Sequence, residues 1–149
     1  MRRLGSGLLL LLVLVLAAPA QAHALTETQL ERCRSLNAAL DASRNIRGMR
    51  VLCQVGADRA IAMGRAGSLW HDLGPVKRAL ARAGVCWVNV GEVLAWNSHS
   101  GSGTGFMAQW AASPSHWSLL TATRFGRGGG SWSRQDGRNW AVYYVVDTC

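Results

Sequence analysis

The sequence predicts an α+β fold on three observations. Apolar and small residues recur at helical spacing between Thr26 and Gly84. Beyond Val85 the composition changes to Val, Trp and Gly. The final stretch, Asn139 to Asp147, places Trp140, Val142, Tyr144 and Val146 on one face and Ala141, Tyr143, Val145 and Asp147 on the other, the pattern of a strand. Helices followed by hairpin-like strands argue against a parallel α/β sheet. A length of 149 residues provides one ordinary domain. With 49% hydrophobic and 16% charged residues the chain is too apolar for a disordered polyelectrolyte.

The first segment reads as an export signal over residues 1–22. Met1-Arg2-Arg3 is a short basic start, Leu8 to Ala18 is an unbroken apolar run of 11 residues, and Pro19-Ala20-Gln21-Ala22 has the small residues of a cleavage site. Ala22-His23-Ala24 offers a second site two residues on. The run is short for a membrane span. Residues 23–149 then form the single domain, and loss of Arg2 and Arg3 lowers the net charge from +8 to +6. The expected location is secreted, extracellular or periplasmic, with no membrane attachment after cleavage. In such an oxidising compartment Cys33, Cys53, Cys86 and Cys149 read as two disulfides. None of them forms a CxxC pair, which excludes the usual zinc-knuckle spacings.

Within the domain, Thr26 to Arg47 is expected as one helix, capped by Thr26 or Thr28, with Glu27 and Glu31 in its first turn and Gly48 at its end. A second helix is expected from about Gly56 to Ala66, with Ala57, Ala60, Ile61 and Gly64 as a small-residue face. A third starts at Pro75 and stops at Gly84. Val85 to Trp96 reads as a strand, Ser98 to Gly105 as a loop, Phe106 to Ala112 and His116 to Leu120 as short helices, and Phe125 to Ser133 as a glycine-rich strand with a loop after it. Reach then favours pairing Cys33 with Cys53 and Cys86 with Cys149. Cys53 follows the first helix closely enough for the chain to double back, and Cys86 and Cys149 sit at ends that antiparallel strands bring together. The rival pairing joins Cys33 to Cys149 and Cys53 to Cys86.

Several patterns invite functional readings. Gly126-Arg127-Gly128-Gly129-Gly130-Ser131 is glycine-rich, but no Lys-Ser or Lys-Thr and no helix signal follows, so a phosphate loop is excluded and a hairpin turn is expected. Seven tryptophans and many arginines suit nucleic-acid binding, yet the arginines are dispersed with no basic run. No specific nucleic acid is expected; an anionic glycan or wall polymer is the partner that charge alone suggests. Of four histidines, His23 and His99 stand in unpromising positions, His71 follows Leu69-Trp70 at the end of the second helix, and His116 opens a short helix after Ser113-Pro114-Ser115. Glu92 sits in an apolar stretch, where an unpaired carboxylate would cost several kcal/mol.

The order Leu69-Trp70-His71, then Gly91-Glu92-Val93-Leu94-Ala95, then Trp110 to His116, then Gly126 and the strand Trp140 to Val146, resembles the CAP superfamily. Its members include cysteine-rich secretory proteins, insect-venom antigens and plant pathogenesis-related proteins. The likeness runs from about residue 30 to 147 and is greatest to the short, single-domain bacterial type. It implies an α-β-α sandwich with a small antiparallel sheet between helical layers. It also implies a polar cleft of two histidines and two acids able to hold zinc or another divalent cation. Carried over by motif, His71 and His116 are the metal-binding positions and Glu92 the first acid. Ser113 stands where the second acid is expected, Val93 where the family has Asn, and Trp117 where it often has Arg. Two imidazoles supply half of a tetrahedral zinc shell, so affinity is expected to be weak, with Glu92 orienting an imidazole. Three functions follow in order: a secreted binding or interaction module; a metal-dependent hydrolase of peptides or wall fragments with Glu92 as candidate base; and a basic surface protein for anionic polymers. The family supplies no common reaction, so no catalytic residue is assigned.

Overall fold

The computed structural model describes residues 24–42, 44, 46–99 and 101–149; the expected export signal lies outside them. The chain order is α1 (Glu27–Asp41), β1 (Arg47–Gly48), α2 (Arg50–Ala66), α3 (Gly74–Arg82), β2 (Trp87–Asn97), α4 (Gly103–Ala111), α5 (Pro114–Thr121), β3 (Arg127–Gln135) and β4 (Arg138–Thr148).

Thr26 caps α1. Its hydroxyl accepts the Gln29 amide proton, and the Gln29 side chain accepts the Thr26 amide proton in return, a capping box. The helix stops at Asp41, short of the expected Arg47. Tertiary contacts override the periodicity here. The Arg44 guanidinium donates to the carbonyls of Leu120 and Phe125, at 3.0 and 2.6 Å, and Ile46 is buried. These contacts turn the chain so that Arg47 and Gly48 pair in parallel with Arg127 and Gly128. The second helix starts six residues before its expected Gly56, because Leu52, Cys53 and Val55 extend its buried face. It ends in Gly67, whose φ of 65° is the left-handed cap. Pro75 lies in the first turn of α3.

Two further expectations are corrected. The segment Ser98 to Gly105 is not all loop: Ser102 caps α4, its hydroxyl accepting the Gly105 amide proton, so the helix begins at Gly103. Gly126 to Ser131 is not the hairpin turn but runs into the body of β3. The turn is Asp136-Gly137, where both residues take positive φ (47° and 75°), as a two-residue connection between right-twisted strands requires. The glycines of β3 serve close packing instead. A side chain at Gly56 of α2 would meet the Gly130 Cα at 2.8 Å, so helix and strand backbones nearly touch.

The sheet order is β1-β3-β4-β2, antiparallel except for the short β1–β3 pair. On one face, Leu36 and Leu40 of α1, Phe106 and Trp110 of α4 and Leu120 of α5 pack with Val93, Ala95 and Tyr143. On the other, Leu52, Val55 and Met63 of α2 and Val76 and Leu80 of α3 pack with Leu94, Val142, Tyr144 and Val146. The architecture is therefore an α-β-α sandwich. Both faces of β4 are buried, which explains why its two alternating sets are equally apolar. Two disulfides staple it. Cys33–Cys53 joins α1 to α2, and Cys86–Cys149 joins the entry to β2 to the end of the chain. Among the described residues no helix is long and apolar enough to cross a membrane.

Candidate functional site

The site is built on β2, which lies at one edge of the sheet. Glu92 lies opposite Tyr144 of β4 and faces the α2–α3 layer, its side chain only 1% exposed. Such burial demands partners. Oε2 of Glu92 is 2.8 Å from Nδ1 of His71 and accepts the Asp72 amide proton at 3.2 Å. On its other side Arg59 of α2, also buried, brings Nη2 to 3.7 Å from Oε1. The same guanidinium donates to the Trp70 carbonyl at 2.6 Å and lies 4.8 Å from the centre of the Trp70 ring. Arg59 therefore neutralises Glu92 and anchors the connection between α2 and α3. The Asp72 carboxylate accepts the Gly74 amide proton, which closes that connection onto α3.

His71 is held at Nδ1 by a buried carboxylate while 64% of its side chain remains exposed. When Nδ1 carries the proton it donates to Glu92, and Nε2 is the ring nitrogen left without a partner in that contact. His71 does not end the second helix, as the sequence suggests, but stands in the connection after it.

His116 arrives from the opposite layer. It sits on the first turns of α5, half-buried. α5 reaches close to β2 because Gly91 has no side chain: a Cβ there would stand 2.7 Å from Leu119. The His116 pKa is lowered from its usual 6.5, first by burial and then by the charge of His71. Ser113 caps α5 by position, and its hydroxyl lies 3.3 Å from that of Ser115. Tyr144, beneath Glu92, has its pKa raised well above the usual phenol range, by burial first and by the Glu92 charge second.

No family model and no curated protein matches the sequence. Solved structures do match the fold. An extracellular protein with an SCP domain from Bacillus anthracis aligns with a TM-score of 0.63 at 16% identity, over 83% of this chain and 44% of that one. A cysteine-rich secretory protein from Staphylococcus aureus aligns with a TM-score of 0.56 at 12% identity, over 79% and 40%. This chain has the CAP/SCP fold. An outer surface protein of Borrelia burgdorferi has a TM-score of 0.63 at 17% identity, over 85% of this chain and 97% of that one. The chain thus spans less than half of the Bacillus and Staphylococcus proteins and nearly all of the Borrelia one. At such identities the likeness concerns the fold.

Among the described residues no group of three or more His, Cys, Asp or Glu side chains is placed to hold a metal ion. Catalytic zinc takes three protein ligands and structural zinc four; here Glu92 is engaged by His71, Asp72 and Arg59. Sequence reasoning missed Arg59 and Tyr144. Arg59 is one arginine among many, but it stands between Gly56, Ala60 and Met63 on the apolar face of α2, and that position was its available signal. Tyr144 shares its alternation with Val142 and Val146 and reads as ordinary core.

Proposed function

We propose that the protein is a secreted binding module of CAP fold that takes its ligand at the open surface formed by His71 and His116. One observation carries this reading. A buried carboxylate, itself balanced by a buried arginine, is committed to fixing the ring of an exposed histidine. The buried carboxylate needs partners, and one of those it takes is the ring of an exposed histidine rather than another buried group. Fixing the ring lowers the entropy lost on binding. Secretion is supported by the leader-like start of the sequence, by the two disulfides and by extracellular structural neighbours.

The hydrolase reading draws less support. Glu92 is held between His71 and Arg59 and is not free to serve as base for a bound water. Activity on peptides or wall fragments that disappears with chelator would restore it.

Zinc is a suitable probe of the paired imidazoles. Calorimetry should detect one weak site, its remaining positions filled by water. Uptake should fall as pH drops below about 6.5, where histidine protonates. The double variant His71→Ala, His116→Ala should abolish it. Unchanged uptake by that variant would show that these two residues do not form the site.

A further inference from the structure

A second site lies away from the histidines, on the α1 face of the sheet beside its β3–β4 end. A cavity of about 510 Å³ opens there, within the range of small-molecule sites. Thr28, Glu31, Arg32 and Ser35 line it from one stripe of α1, at the three- and four-residue spacing that puts side chains on a common helix face. Trp132 and Arg134 line it from β3, two residues apart and so on the same side of the strand.

The lining combines three kinds of chemistry. The first is fixed positive charge. Arg32 donates from Nη1 to the Trp132 carbonyl at 2.9 Å, and its guanidinium lies 5.7 Å from the centre of the Trp132 ring. One of its five N–H groups is thereby committed and the others are held in a set plane. Arg134 is a second guanidinium, exposed at the rim. The second is neutral hydrogen bonding. Ser35 accepts the amide proton of Gly103, which leaves its hydroxyl proton to donate, and Ser102 accepts that of Gly105 while its hydroxyl lies 3.4 Å from the Thr104 hydroxyl. Glu31 accepts. The third is a rigid floor. Trp132 is 8% exposed and braced from behind by Phe106, and Asn139 is 3% exposed, its amide donating to Asn97 and to the His99 carbonyl.

Two guanidiniums match a carboxylate, which arginine binds through paired N–H groups. Surrounding hydroxyl, amide and carboxylate groups match a ligand rich in hydroxyls. We propose that this cavity binds an acidic saccharide, with Arg32 and Arg134 on its carboxylate and Glu31, Ser35 and Ser102 on its hydroxyls. The site is independent of the histidine surface and gives the basic charge of the chain a specific place to act.

The test is calorimetry on the purified protein with glucuronate, a galacturonate trimer and the neutral trimer maltotriose. Glucuronate or the galacturonate trimer should bind and maltotriose should bind at least about tenfold more weakly, as loss of charged hydrogen bonds implies. Binding of glucuronate assigns the free sugar acid; binding of the trimer alone assigns the polymer. Arg134→Gln, at an exposed strand position that leaves the core intact, should weaken binding about tenfold, and Arg32→Gln/Arg134→Gln further. The charge-matched control Arg78→Gln/Arg82→Gln, on α3, should change it less than about twofold, and His71→Ala/His116→Ala should leave it unchanged. Equal losses from the two arginine pairs would reduce the effect to diffuse charge and overturn the site. So would maltotriose binding as tightly as the acidic sugars, or no binding of either acid.

Discussion

At the scale of single residues, the most consequential contact is the buried pair Arg59–Glu92. Removing one member of a buried pair strands the other charge in the core. Glu92→Gln should therefore destabilise the fold by about 3 kcal/mol, read as a shift in the urea midpoint. The double variant Glu92→Gln/Arg59→Met should cost less than Glu92→Gln alone, because it leaves no unpaired charge. Equal or additive losses would mean that the pair does not interact. His116 carries a second expectation. Its folded pKa lies below the unfolded 6.5, so the unfolded state binds more protons between those two values. Its contribution is present above pH 6.5 and is lost as pH falls towards the folded pKa. His116→Gln should flatten this part of the urea-midpoint curve between pH 7.5 and 5. The contact of His71 with Glu92 was legible because their motifs stand in a recognisable order. Arg59 was not, because in a sequence with dispersed arginines a buried one looks like its exposed neighbours.

At the scale of elements, long apolar patterns were readable and tertiary decisions were not. β4 announces itself by alternation, and α3 by Pro75 and Gly84. The break between α1 and β1 depends instead on Arg44 reaching Leu120 and Phe125, far along the chain. The glycine-rich stretch of β3 misleads for a related reason. Its glycines admit the α2 backbone, a contact that no local pattern reports. Gly56→Ala should cost about 1–3 kcal/mol of overpacking, since its Cβ would lie 2.8–2.9 Å from the β3 backbone. Gly126→Ala, at a position with nothing within 4 Å, should stay within about 0.5 kcal/mol. Thermal melts of the two variants compare them directly, and equal losses would show that the α2–β3 approach is looser than described.

At the scale of the whole molecule, two helical layers pack on opposite faces of one sheet and two disulfides fasten the assembly. The fastening is legible in the sequence, because chain reach alone favours the observed pairing of cysteines. In the chain-entropy picture the 20-residue separation of Cys33 and Cys53 is worth about 3 kcal/mol, and the 63-residue separation of Cys86 and Cys149 about 4 kcal/mol. Cys86→Ser/Cys149→Ser should accordingly lower the urea midpoint more than Cys33→Ser/Cys53→Ser; the reverse order would place most of the stapling between α1 and α2. The central claim is the proposal that His71 and His116, carried by opposite layers, share one surface. It is tested most directly by the pH titration of the His116 ring followed by NMR, in the unaltered protein and in His71→Gln. The expected His116 pKa lies below 6.5 in the unaltered protein and rises part of the way back in the variant, where burial still acts but the His71 charge is gone. A His116 titration identical in both proteins would show that the two histidines do not share a site.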